Sequence, residues 1–149
     1  MHVTLVPWDD PDAVALRLGQ RREIAARYAN PDSEPGTPPS ADDIAVFAVV
    51  RDDDGTAVGC GGLRDLGDGR GEVKRMFVRP ESRGSGAAGA LLSVLEGWAR
   101  ERGWTCLRLE TGDRQPDAVR FYTKAGYGPI AAFGAYADAP GSLCFERAL

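Results

Sequence analysis

Histidine is almost missing from this chain of 149 residues: there is one, His2. That excludes a histidine-rich metal centre, and a Ser-His-Asp or Cys-His catalytic group would have to recruit the second residue of the chain. Cysteine is scarce too. Cys60, Cys106 and Cys144 are odd in number and widely spaced, which fits neither a disulfide framework nor a zinc pattern. Each falls in a strand-like stretch, where a small buried hydrophobe is the expected role. No metal site is expected. Positive charge is not in excess either. Lys and Arg number 18 against 22 Asp and Glu, a net charge of −4, so the basic footprint of a nucleic-acid binder is lacking. No apolar run approaches the ~20 residues of a membrane span. The first ten residues lack the basic start and apolar stretch of a signal peptide. A cytoplasmic location follows as an expectation, with no membrane and no nucleic acid as partner.

What is present reads as one domain over residues 1–149, long enough to bury a core. Val3–Val6 reads as a short strand. Pro11–Ala29 reads as a helix, with Asp9 or Asp10 as N-cap and Pro11 in the first turn. Asn30–Asp43, with its prolines, is a long loop. Ile44–Arg51, Ala57–Asp65 and Gly71–Arg79 read as strands. Turns at Asp53-Asp54-Gly55 and Gly67-Asp68-Gly69 join them into an antiparallel meander. Ser85–Arg102 carries Ala88, Leu91, Leu92, Leu95, Trp98 and Ala99 on one helical face, and Gly103 stops it. Trp104–Thr111 is a strand and Pro116–Ala125 a helix stopped by Gly126. Tyr127–Phe133 and Ser142–Arg147 close the chain as strands. The order is β-α-β-β-β-α-β-α-β-β.

Residues 83–88, Arg-Gly-Ser-Gly-Ala-Ala, stand at a strand-to-helix turn. Small residues there let backbone N–H groups approach a ligand, and a helix start offers unpaired N–H groups and a positive dipole end. Such a place suits a phosphate or pyrophosphate. A P-loop would need Gly-Lys-Ser/Thr, and none follows. A dinucleotide fingerprint would need parallel βαβ units and an acidic residue ~20 positions on, whereas this loop follows antiparallel strands. A purely structural turn stays open on these residues alone.

A third reading takes in more of the chain. Arg83, Gly86 and Ala88 fit the pattern Q/R-x-x-G-x-G/A, and the preceding Val73–Pro80 has the look of a central strand. Further on, Gln115 to Tyr127 follows N-x-x-A-x-x-x-Y-x-x-x-G-F, with Gln115 for Asn and Tyr127 for Phe. The two motifs and the element order resemble the GNAT superfamily of acyl-CoA-dependent N-acetyltransferases. The likeness covers most of the chain and is weakest over residues 1–43. It implies an α/β (α+β) fold, with a mixed, mostly antiparallel sheet of about six or seven strands flanked by helices. It also implies acetyl-CoA as co-substrate. Backbone groups of Met76, Phe77 and Val78 would pair with the pantetheine arm, in a slot where the central strand splays from Trp104–Thr111. Amides of Arg83, Gly84, Ser85, Gly86, Ala87 and Ala88 would hold the pyrophosphate. Gln115 would touch the pantetheine or thioester end, and Tyr122 would sit near the sulfur. Homodimers are common in the family, and one is entertained here.

The chemistry of amide formation from a thioester matches these residues. The amine must lose a proton, the carbonyl oxygen needs hydrogen-bond donors, and the leaving thiolate should be protonated. Glu110 and Glu72 are the candidate bases, with Glu110 preferred and a water relay as the third option. An N–H near Phe77 or Val78 would serve the oxygen, and Tyr122 would serve as general acid. Read without the motif, Tyr122 is a core residue beside Ala118 and Ala125, Glu110 a partner for Arg108, and Glu72 a neighbour of Lys74 on one strand face. The resemblance puts the acceptor between Arg21–Asp43 and residues 133–142. There the pattern F-x-x-Y-x-x-x-P-x-S, with Phe133 and Tyr136, is similar to a group of small bacterial members. Arg64, Lys74 and Arg75 are basic residues near the sheet; they read either as a solvated strand face or as a place where one of them meets an acceptor carboxylate, the latter implying a small amine that also carries an acid group. The expected reaction is acetyl transfer to a small-molecule primary amine. A protein or peptide acceptor, and a silent acyl-CoA sensor, are the alternatives.

Overall fold

The computed structural model describes residues 1–28 and 35–149. The elements are β1 (His2–Leu5), α1 (Pro11–Tyr28), β2 (Ile44–Arg51), β3 (Ala57–Gly67), β4 (Arg70–Val78), α2 (Ala87–Glu101), β5 (Cys106–Gly112), α3 (Pro116–Lys124), β6 (Gly128–Ile130) and β7 (Ser142–Ala148). Short 3₁₀ turns occupy Pro80–Ser82 and Gly134–Asp138. The strands form one seven-stranded sheet in the order β1-β2-β3-β4-β5-β7-β6. All neighbours are antiparallel except β4 and β5. This is the α/β, GNAT-like sheet expected from the motifs. No described helix is long and apolar enough to cross a membrane.

The element boundaries shift for local reasons. Helix α2 starts at Ala87 rather than Ser85, because its N-cap Gly86 has φ 91°, a left-handed conformation outside the helix. At its other end Gly103 N–H bonds Arg100 O and Trp104 N–H bonds Ala99 O, a Schellman closure. Trp104 is used in that closure, so β5 begins at Cys106. Strand β6 covers only Gly128–Ile130 of the expected Tyr127–Phe133, and the chain then bends into the 3₁₀ turn. Helix α1 is capped as expected, with Ala13 N–H bonded to Asp10 Oδ2 at 3.0 Å. The expected helix end at Ala29 and the first part of the following loop lie outside the described residues.

Two apolar layers hold the sheet. Val46, Ala48, Leu63, Val73 and Val78 pack against Leu91, Leu92 and Leu95 of α2, with Leu107, Leu109 and Tyr122 in the same cluster. On the opposite face Phe47, Val49, Cys60 and Phe77 pack against Ala13 and Leu16 of α1. Each fully buried leucine stabilises by roughly 1.5–3 kcal/mol, so α2, with three of them, is the firmer attachment. Most of α1 is polar, which leaves it a looser cover on its face of the sheet.

One irregularity shapes the site. Strands β4 and β5 pair only at Arg70↔Cys106, Gly71↔Leu107 and Glu72↔Arg108. Beyond Glu72 they diverge, and β5 continues on its other edge with β7 as far as Gly112↔Ser142. Along β3 the partners run Cys60↔Phe77 and then Gly62↔Lys74, two steps on one strand against three on the other. This is a β-bulge, with Arg75 inside it at φ 59°.

Candidate active site

The divergence opens a cleft of about 420 Å³. Its walls are Val73–Met76 of β4, Leu109–Gly112 of β5, Gln115, Ala118 and Tyr122 of the α3 region, Gln20 and Tyr28 of α1, and residues 139–142. Tyr28 crosses the end of β5. Its hydroxyl accepts Arg114 N–H at 3.2 Å and packs so closely on Gly112 that a Cβ there has no room.

Backbone direction in β4 decides what faces the slot. Arg79 N–H bonds Val58 O. Backbone groups alternate between the two edges of a strand, so Phe77 also points to β3, while Met76 and Val78 point into the slot. Their carbonyls are already claimed: Gln20 Nε2 donates to Met76 O at 3.0 Å, and Arg83 Nε donates to Val78 O at 3.0 Å. Their N–H groups face the slot.

Below the slot lies the small-residue loop. Gly84 has φ 80° and Gly86 φ 91°, with nothing within 4 Å of the place a Cβ would take at either. No side chain caps the start of α2, and no acidic residue stands in its first turn. The first N–H groups of α2, from Ala87 and Ala88, are thus presented outward with the positive end of the helix dipole. Ser85 turns its hydroxyl back to Ser82 O at 2.5 Å, so it is the Ser85 backbone that faces outward. Arg83 Nη2 reaches Glu23 Oε2 at 2.6 Å, which ties the loop to α1.

At the other end of the cleft stand Glu110 and Tyr122. Glu110 is half-buried and accepts the Ser142 hydroxyl at 2.6 Å. Arg108, the alternative partner considered for it, pairs with Glu146 at 2.9 Å instead. Tyr122 is buried, and its hydroxyl has no hydrogen-bond partner among the described residues. Burial pushes its phenol well above the usual range, so it is protonated at any working pH. Gln115 is the N-cap residue of α3 and lines the cleft with its side chain unbonded to any described residue.

Glu72 is elsewhere. It is 2% exposed and absent from the cleft wall. Tyr136 donates to its Oε2 at 2.5 Å, Lys74 lies 3.7 Å from the same atom, and Arg64 lies 3.5 Å from Oε1. The carboxylate is thus held by two cations and a phenol, and it ties the 3₁₀ turn to β4. Sequence reasoning did not single out Gln20 or Tyr28, and it gave Ser142, the last residue of the F-x-x-Y-x-x-x-P-x-S pattern, no role of its own. It also missed Glu96, which accepts the Tyr127 hydroxyl at 2.8 Å and pairs with Arg147 at 2.9 Å. That acceptor accounts for Tyr127 where the motif has Phe.

The sequence model of the acetyltransferase (GNAT) family matches residues 17–127. An IAA acetyltransferase of Azospirillum brasilense is 44% identical over 104 residues, covering 69% of this chain and 67% of that protein. An uncharacterised N-acetyltransferase of Schizosaccharomyces pombe is 35% identical over 107 residues, covering 71% and 63%. The chain thus spans about two thirds of the length of the curated relatives it matches. Among solved structures, a Klebsiella pneumoniae protein described as an acyl-CoA N-acyltransferase superposes with a TM-score of 0.83 at 32% identity, over 99% of this chain and 97% of that one. The PaiA N-acetyltransferase of Thermoplasma acidophilum, solved with coenzyme A, shares the fold at TM-score 0.73 and 17% identity over all of both chains. A splayed sheet with an anion-ready helix start is the architecture of an acyl-CoA-dependent N-acetyltransferase. The chain belongs to the acetyltransferase (GNAT) family.

Proposed function

We propose that this chain transfers an acetyl group from acetyl-CoA to the primary amine of a small molecule, by direct attack within a ternary complex. The observation that carries the reading is that Glu110 and Tyr122 line one cleft where β4 and β5 part. The residues fit the co-substrate. The uncapped start of α2 and the open glycines at 84 and 86 suit a pyrophosphate. The slot-facing N–H groups of Met76 and Val78 suit an extended amide-bearing arm, added like a strand. Gln115, with an amide that both donates and accepts, suits the arm's far end. When bound, the thioester supplies an electrophilic carbonyl carbon and a thiolate leaving group.

The protein's part is proton management and orientation. A lysine-like amine is mostly protonated at pH 7, its pKa lying near ~10.4. Glu110, fixed by Ser142, takes that proton directly or through a water. The amine lone pair then forms the C–N bond as the C–S bond breaks, the slot-facing N–H groups of β4 serve the carbonyl oxygen, and the second proton leaves nitrogen to end on the departing sulfur, giving the amide and the free thiol. Tyr122 meets the sulfur with its O–H. The burial that keeps the phenol protonated also makes it a reluctant acid, and the same dry surroundings raise the proton affinity of the thiolate it faces. Its bond to sulfur therefore stabilises the leaving group whether or not the proton fully transfers. Thiol release from acetyl-CoA across a panel of primary amines tests the reading. Amine-dependent release with intersecting initial-rate lines supports it. Release only with a peptide N-terminus or a protein lysine refutes the small-molecule acceptor.

A further inference from the structure

The two walls of the cleft carry opposite charge. Lys74 and Arg75 stand on the β4 wall, and Glu110 and Asp113 on the β5 side. A ligand with an amine alone would be matched by one wall and repelled by the other. A ligand with a cation and an anion a few bonds apart is matched by both.

The backbone at Arg75 points the same way. Its φ of 59° is left-handed, a conformation glycine takes freely and residues with a Cβ take at a penalty. Of the described residues with positive φ, only Asp68 and Arg75 are not glycine. The adjoining strand spends glycines freely at Gly59, Gly61 and Gly62. An arginine in a place built for glycine is retained for its side chain, and bulges characteristically re-aim side chains beside active sites. Lys74 is held beside it, 7% exposed, donating to Tyr136 Oη at 3.0 Å with Glu72 at 3.7 Å. Arg64, the third cation considered from the sequence, is not on the cleft wall; it pairs with Asp43 at 2.9 Å and with Glu72 at 3.5 Å and donates to Thr37 O. On the α1 side of the bulge Arg17 adds a further positive charge. Its pKa is lowered by burial first and by Arg75 among its charged neighbours.

We propose that the acceptor carries a carboxylate within a few bonds of its amine, as an amino acid does, and that Arg75 and Lys74 receive this carboxylate while Glu110 faces the amine. The assignment rests on the small-amine reading above. Arg75 supplies a planar fork suited to a carboxylate, and Lys74 a fixed point charge.

The test compares matched acceptors by thiol release: an amino acid, its carboxamide, and the amine lacking the carboxyl group. The amide's amine is less basic than the amino acid's and the decarboxylated amine's more basic, so basicity alone cannot favour the acid over both. The wild type is expected to favour the acid about tenfold or more in kcat/KM, mainly through KM. Arg75→Gly removes the side chain and relieves the backbone, so the variant should stay folded, read by a cooperative thermal transition, while the preference collapses toward one. Lys74→Gln is the second variant, expected to weaken the same preference with CoA affinity retained. Equal kcat/KM for acid and amide in the wild type overturns the carboxylate site and leaves the small-amine reading standing. A preference kept in folded Arg75→Gly overturns the role of Arg75. Turnover of peptides but of no small amine overturns both readings together.

Discussion

Two tyrosines five positions apart should fail in opposite ways when each loses its hydroxyl. Tyr122→Phe removes one oxygen from a side chain that is 6% exposed. The ring contacts, edge-on to Phe121 at 5.0 Å and to Tyr127 at 5.7 Å, are kept by phenylalanine. The hydroxyl bonds no described residue, so no hydrogen bond is lost. A buried hydroxyl without a partner costs about 1–3 kcal/mol, an upper bound where the group borders a cleft. Stability should hold or rise by about 1 kcal/mol, a midpoint shift of roughly 0 to +4 °C for a chain of this size. Turnover should fall about 10²–10³-fold, the contribution of one acid-base group. Tyr127→Phe removes a hydroxyl that donates to the buried carboxylate of Glu96 at 2.8 Å. Arg147 Nη1 still holds that carboxylate at 3.1 and 2.9 Å. A bond to a charged group contributes about 1.5–3 kcal/mol, so the midpoint should drop by roughly 3–10 °C with turnover little changed. Thermal unfolding, thiol release and CoA titration on both variants decide it. A destabilised Tyr122→Phe, or one with wild-type turnover, refutes the assignment of Tyr122 to the chemistry.

Other changes have defined outcomes. Glu110→Gln keeps an oxygen for the Ser142 hydroxyl but cannot accept a proton, so kcat/KM should fall about 10²-fold and recover in part toward pH 10, where the amine arrives neutral; rates from pH 7 to 10 show it. Gly86→Ala meets no atom within 4 Å but must hold φ 91°, so it should cost roughly 1–2 kcal/mol and weaken CoA binding, read by urea melts and titration. Burial pushes the Cys60 thiol up to about 12, and an unfolded thiol titrates near ~8.5. The folded state therefore binds the proton more tightly. Its stabilising contribution is complete below that lower value and is lost as pH rises toward 12, at about 1.4 kcal/mol per pH unit. Urea midpoints at stepwise pH from 8 to 11 should decline, and Cys60→Ala should flatten the first part of that decline.

Local punctuation made much of the fold legible. The hairpin turns at Asp53–Gly55 and Gly67–Gly69 and the stops at Gly103 and Gly126 are chemical instructions readable where they stand. The insertion of β7 between β5 and β6 has no such local mark, because strand order is settled by pairing across more than thirty residues, as in Glu110↔Cys144. The candidate site divides in the same way. Met76, Gln115, Tyr122 and Glu110 lie in motifs or at a strand end, and all four border one cleft. Glu72 sits on an equally suggestive strand, but its surroundings come from Arg64 on β3 and from Tyr136, 64 positions away. Nothing within its own segment distinguishes a base from an anchor.

The bulge left a trace in the sequence that a strand reading smooths over. A regular half-buried strand alternates, so apolar residues should recur at every second position. Residues 73–78 read Val-Lys-Arg-Met-Phe-Val, with two adjacent cations followed by three adjacent apolar residues. Val73, Met76 and Val78 pack on the α2 side, and Phe77 on the α1 side. Counting back from Val78 by twos reaches Met76 and then Lys74, which lies with Glu72 instead of Val73. The alternation is restored only if one residue is left over, and the left-handed Arg75 is that residue. The paired cations thus mark where the strand slips. The slip, together with the parting of β4 from β5 after Glu72, leaves the N–H groups of Met76 and Val78 facing an open slot and Arg75 on the wall of the cleft.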